Sequence, residues 1–73
     1  MEKLIYSKDH KFLVEQLKKA RRDSGLEQIE VAKLLKKTQS YISKVESGQR
    51  KIDVMQLRKF SKIYKKNLDF FIK

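Results

Sequence analysis

The chain has 73 residues, no cysteine and a single histidine, with 19 Lys+Arg against 9 Asp+Glu and a formal net charge of +10. These numbers exclude disulfide cross-links and a conventional zinc site of His and Cys ligands, and they leave room for one small domain at most. The positive excess points to a polyanionic partner, nucleic acid first and an anionic membrane surface second.

The N-terminal stretch MEKLIYSKDHK carries no signal-peptide apolar region, and no apolar run approaches the roughly 20 residues of a membrane span. The expectation is a cytoplasmic protein, with which the lack of cysteine agrees. No proline occurs and no low-complexity linker interrupts the chain, so residues 1–73 read as a single domain with a short arm over 1–6. Lys, Leu, Glu, Gln and Arg dominate and strand-like alternation is scarce, which makes the fold class all-α.

The first helix begins after Ser7, a capping residue, and repeats Phe12, Leu13, Leu17 and Ala20 at helical spacing. Lys18, Lys19, Arg21 and Arg22 gather in its last turns, where cations complement the helix dipole, and Gly25 is a left-handed stop. A short second helix follows Leu26, with Val31, Ala32 and Leu35 as a narrow apolar stripe, and ends near Lys36. Thr38 caps a third helix of about two turns, which runs through Glu46 and stops at Ser47-Gly48. Asp53 and Gln56 form a pattern like a capping box for a fourth helix, whose stripe is Leu57, Phe60 and Tyr64 with Ile63 beside it. Asn67 is placed to cap a final turn bearing Leu68, Phe70, Phe71 and Ile72. The predicted architecture is a compact bundle of four helices plus a short C-terminal helical turn.

Only Lys36 and Lys37 separate the second helix from the Thr38 cap, and two short helices so joined make a helix-turn-helix unit, here residues 27–46. The third helix has Ile42 and Val45 to anchor it. It is left free to present Gln39, Ser40, Ser43 and Lys44 to a groove.

The segments GLEQIEVAKLL and TQSYISKVESGQRKIDV, within residues Gly25 to Ile72, resemble the lambda-repressor/Cro-like helix-turn-helix family, also called the XRE family. Gly25, Leu26, Gln28, Ala32, Leu35, Thr38, Gln39, Ser40, Tyr41, Ile42, Ser43, Lys44, Glu46 and Gly48 match its pattern in register and without gaps. The resemblance implies sequence-specific binding of double-stranded DNA by a small transcriptional regulator, paired as a homodimer on a near-palindromic site. It implies base contacts from Gln39, Ser40 and Lys44, and backbone contacts from Gln28, Thr38, Arg50 and Lys51; Ser43 and Tyr41 are added as candidate backbone contacts from their place on the third helix. It also implies a structural pair between Arg21 and Glu46. The chemistry agrees. A Gln amide pairs with adenine N6/N7 and a Lys donates to guanine O6/N7, and a helix N-terminus such as that at Gln28 favours phosphate.

Two departures from the family pattern stand out. Glu27 replaces the usual Thr before Gln28, bringing a carboxylate near the expected phosphate. Lys36-Lys37 replaces the usual Gly-Val of the turn, and Lys65-Lys66 repeats the replacement after the fourth helix. The lysines are predicted to keep the turn and add charge, with Lys36 in the left-handed conformation of the glycine.

Blander roles compete at several positions. Tyr41 is expected to cover the packing of helices two and three with its hydroxyl toward phosphate. His10 reads as a surface residue, and Arg58, Lys59 and Lys62 as cations pointing away from DNA. Ser43 and Lys44 do not form a nucleophile pair, because adjacent residues diverge on a helix. No cofactor, metal or small-molecule ligand is expected, and an enzyme is not. Phe70, Phe71 and Ile72 either close the base of helices one and four or make a dimer contact. The competing functions are an antitoxin-like or adaptor module that binds protein, with secondary DNA contact, and a basic amphipathic protein on anionic membranes.

Overall fold

The computed structural model describes residues 8–72, so the Ser7 cap and the arm over 1–6 lie outside the described residues. Four helices occupy Lys8–Asp23 (α1), Gln28–Leu35 (α2), Gln39–Glu46 (α3) and Val54–Tyr64 (α4), and a 3-10 turn spans Leu68–Phe70. The described residues contain no strand, and the fold is all-α. No helix among them is long and apolar enough to cross a membrane.

One core joins all the elements. Leu17 and Ala20 of α1 meet Val31 and Ala32 of α2, Ile42 and Val45 of α3, and Leu57, Phe60 and Tyr64 of α4. Burial of this kind stabilises by about 1.5–3 kcal/mol per large side chain. It matters most for the eight-residue helices α2 and α3, since isolated helices shorter than about 12 residues are marginal in water. These two pack against each other most extensively.

Local signals fix where each helix begins. The Thr38 hydroxyl accepts from the Tyr41 backbone N–H at 3.1 Å, and Asp53 Oδ1 accepts from the Gln56 N–H at 2.9 Å. The Gln56 side chain does not reach back as a capping box would. Its oxygen accepts from the Tyr41 hydroxyl, at 3.4 Å. At α2 the extended residue Glu27 is the N-cap, and Glu30 Oε1 accepts from its backbone N–H at 2.7 Å.

The helix ends repeat one device. Lys36 follows α2 at φ 58° and Lys65 follows α4 at φ 57°, both left-handed. Behind Lys36, the Lys37 N–H donates to Ala32 O at 2.8 Å, and behind Lys65, the Lys66 N–H donates to Ser61 O at 3.0 Å. This closure satisfies carbonyls that a helix end leaves open. A side chain at positive φ costs roughly 1–2 kcal/mol relative to the right-handed conformation. Both lysines therefore keep the turn that a glycine would make without strain.

Of the two roles expected of the C-terminal segment, Phe71 takes the packing one. Phe71 is 1% exposed and belongs to the core, so it is not available as a dimer contact. Phe70 is half-buried, edge-on to Phe71 with ring centroids 5.2 Å apart, and its carbonyl accepts from Gln16 Nε2 at 2.9 Å. Only Ile72 points outward. Asn67 sits at the N-cap position of the 3-10 turn but makes no side-chain capping bond. His10 is half-buried rather than on the surface, and its ring faces Gly48.

Candidate nucleic-acid interface

Helix α3 buries Ile42, Val45 and Glu46 and leaves Gln39, Ser40, Ser43 and Lys44 exposed. All four exposed side chains carry polar groups that can hydrogen-bond outward. With its side chains an α-helix is about 10–12 Å across, which matches the roughly 12 Å width of a major groove.

Behind α3, Glu46 anchors a buried polar cluster. Arg21 Nε and one terminal nitrogen donate to the two Glu46 carboxylate oxygens at 2.8 and 3.1 Å, a bidentate pair. The other Arg21 terminal nitrogen donates to Leu26 O at 2.9 Å, which ties the α1–α2 turn to the same point. Gln28 Nε2 donates to Glu46 Oε1 at 3.1 Å. The Glu46 hydrogen bond raises the Arg21 pKa above its ordinary value, against the lowering effect of burial. Burial also raises the Tyr64 phenol, and the Glu46 charge adds to that shift.

Gln28, read from sequence as a phosphate contact, is thus partly engaged inside the protein. One amide N–H is given to Glu46 and the other remains. The family resemblance implied the Arg21–Glu46 pair, but nothing in it signalled Gln28 or the Leu26 carbonyl as members of the cluster. Both arrive through tertiary packing.

Beside α3 lies a cleft of about 520 Å³ lined by Lys36, Lys37, Thr38, Ser40, Tyr41, Lys44 and Arg50. Four of its seven lining residues are cations and none is a carboxylate. Lys37 Nζ stands 5.1 Å and the Arg50 guanidinium carbon 4.9 Å from the Tyr41 ring centroid. Tyr41 therefore offers the cleft its ring, while its hydroxyl turns to Gln56 rather than standing free for phosphate. The Lys37–Tyr41 contact is not a helical pairing, because Lys37 precedes the Thr38 cap and lies outside α3, so its four-residue spacing carries no signal. The Tyr41–Gln56 contact had none either. Lys51 is exposed in the loop before α4, near Arg50 in sequence. Among the described residues no cluster of His, Cys, Asp and Glu is suited to hold a metal.

A comparison with curated proteins returned no match to the chain. The family model described as Helix-turn-helix matches residues 17–71, three-quarters of the chain and the whole span from mid-α1 to Phe71. That model is of the lambda-repressor-like, XRE type, a DNA-binding rather than an enzyme family. With α2 and α3 packed as the paired helices and the exposed face of α3 beside a basic cleft, the chain belongs to the lambda-repressor-like helix-turn-helix family of DNA-binding proteins.

Proposed function

We propose that the protein is an intracellular transcriptional regulator that reads a specific duplex sequence with α3 lying in the major groove. The observation that carries this reading is the division of α3: three side chains hold it to the core, and Gln39, Ser40, Ser43 and Lys44 face outward. Gln39, Ser40 and Lys44 read base edges. Thr38, Ser43, Arg50, Lys51 and the remaining Gln28 N–H bind phosphates on either side, and Tyr41 contributes through its ring. Two copies bind a near-palindromic site. The longest dimension of the described residues is 32 Å, which lets adjoining copies present their α3 helices about 34–36 Å apart, one helical turn of DNA.

Selection of bound sequences from a random duplex pool would supply the half-site and its spacing. On the selected duplex, Gln39→Ala should lower affinity about 5- to 150-fold, the range of 1–3 kcal/mol for a bidentate contact, while leaving random DNA almost unaffected. Lys51→Ala should weaken both duplexes alike and reduce the salt slope by about 1. Equal losses on all sequences for both variants would remove α3 from base reading.

A further inference from the structure

We propose that Lys37 and Arg50, which stand over the Tyr41 ring, and Lys36, which lines the same cleft, form a clamp for a DNA-backbone phosphate beside the bases that α3 reads. The proposal rests on the DNA-binding reading above and extends it to the two turn lysines.

Three observations converge on the clamp. The cleft holds several cations with no carboxylate among its lining residues, so its field is of one sign. Among the described residues the ion pairs engage Lys18, Arg21 and Lys66, and none engages Lys36, Lys37, Lys44 or Arg50. Like charges drawn together at a surface repel unless something between them is negative. The face of an aromatic ring is negative, and Tyr41 provides one within about 5 Å of both Lys37 and Arg50. The ring itself is held in place, half-buried and hydrogen-bonded to Gln56. The result is a preorganised set of donors around an open space large enough for a phosphate and its sugar.

The left-handed backbone at Lys36 supplies an internal comparison. Lys65 has nearly the same conformation, φ 57° and ψ 45° against φ 58° and ψ 44°, but lines a different depression beside Asp23 and Ser24. Strain alone therefore assigns nothing to Lys36. What sets Lys36 apart is that it borders the α3 cleft, as well as a depression shared with Lys59 and Lys62. Replacing either lysine by glycine relieves the same backbone, and only one replacement removes a charge from the clamp.

The test measures affinity for the selected duplex and for random duplex between 50 and 200 mM salt, alongside melting of each variant. Lys37→Gln with Arg50→Gln should weaken both duplexes alike and reduce the salt slope by about 1.8, so that the loss of affinity across this range shrinks about 12-fold. Lys36→Gly should raise Tm by about 4–8 °C and lower the slope by about 1. Lys65→Gly should raise Tm similarly and leave binding unchanged. Tyr41→Leu should weaken both duplexes alike while remaining folded. A wild-type salt slope retained by the Lys37/Arg50 double variant would overturn the clamp and leave base reading by α3 intact. So would a loss confined to the selected duplex. No duplex affinity in the wild-type protein would overturn the clamp and the DNA-binding reading together.

Discussion

The bidentate pair between Arg21 and Glu46 should be strongly coupled, and a double-mutant cycle measures the coupling. The carboxylate side chain is 4% exposed and the guanidinium side chain 15%. Removing one partner of a buried pair leaves the other charge uncompensated, at a cost of about 3–5 kcal/mol. Glu46→Ala should fall in the upper part of that range, since it strands both Arg21 and the Gln28 amide. Arg21→Ala should fall near about 3 kcal/mol, because Glu46 keeps its bond from Gln28. The double variant has no charge left to strand and should lose only about 4–5 kcal/mol, which leaves a coupling of about 2–3 kcal/mol.

Set against a total of about 4–11 kcal/mol for a domain of this length, either single change approaches unfolding. Urea titration followed by helical circular dichroism should therefore be run with an excluded osmolyte, which keeps all four proteins folded at zero denaturant. The coupling should persist in 1 M salt, because a buried pair is screened far less than a surface one. The Lys18–Glu15 pair, at 3.2 Å with Glu15 exposed and Lys18 half-buried, serves as the contrast and should contribute about 0.3–0.5 kcal/mol at low salt. Additive losses at Arg21 and Glu46 would refute the reasoning and reduce the pair to a coincidence of packing.

Burial raises the Tyr64 pKa above its ordinary value of 10.0. The folded state then holds the phenol proton where the unfolded state releases it, so this contribution is complete below pH 10 and declines as pH rises beyond it. The Tyr64 hydroxyl also finds no hydrogen-bond partner among the described residues. Tyr64→Phe should accordingly be as stable as wild type at pH 7 or better by up to about 1 kcal/mol, with a shallower fall in Tm above pH 10. Phe71→Asp places a charge in the core and should abolish the cooperative melting transition. Ile72→Asp should leave monomer stability within about 0.5 kcal/mol, and sedimentation of that variant on and off DNA tests the terminal dimer contact. Thr38→Ala and Asp53→Ala should each cost about 1 kcal/mol in urea titrations, the usual loss for an N-cap.

Much of this architecture was legible because it is written in local chemistry. Thr38 and Asp53 are polar oxygens set three residues before the N–H groups they cap, and the apolar residues of α1 and α4 repeat at helical spacing. The turn lysines were legible as well, by their place where a glycine was expected. What escaped the sequence was contact between elements. Gln56 was read as half of a capping box, which is a local pattern, but its side chain meets Tyr41 fifteen residues away. Gln28 was read toward phosphate, while Glu46, eighteen residues on, takes one of its protons. Three adjacent apolar residues, Phe70, Phe71 and Ile72, looked equivalent and were sorted into half-buried, buried and exposed by the rotation of a single 3-10 turn.

The same division lets so short a helix carry the recognition role proposed for it. Cohesion of α3 comes from Ile42 and Val45 in the core, from the Thr38 cap, and from Glu46 gripping Arg21. None of these is among the residues proposed to read bases. Exposed side chains away from such features change stability by about 0.5 kcal/mol or less when replaced, so Gln39, Ser40 and Lys44 are free to vary without unmaking the fold that presents them. Phosphate contacts orient a protein on the duplex and base contacts specify the sequence. Lys36, Lys37 and Arg50, in the cleft that Ser40 and Lys44 also border, suit the first task. The sequence preference can then change by substitutions on α3 while the docking geometry, held by the cleft and the buried pair, stays constant.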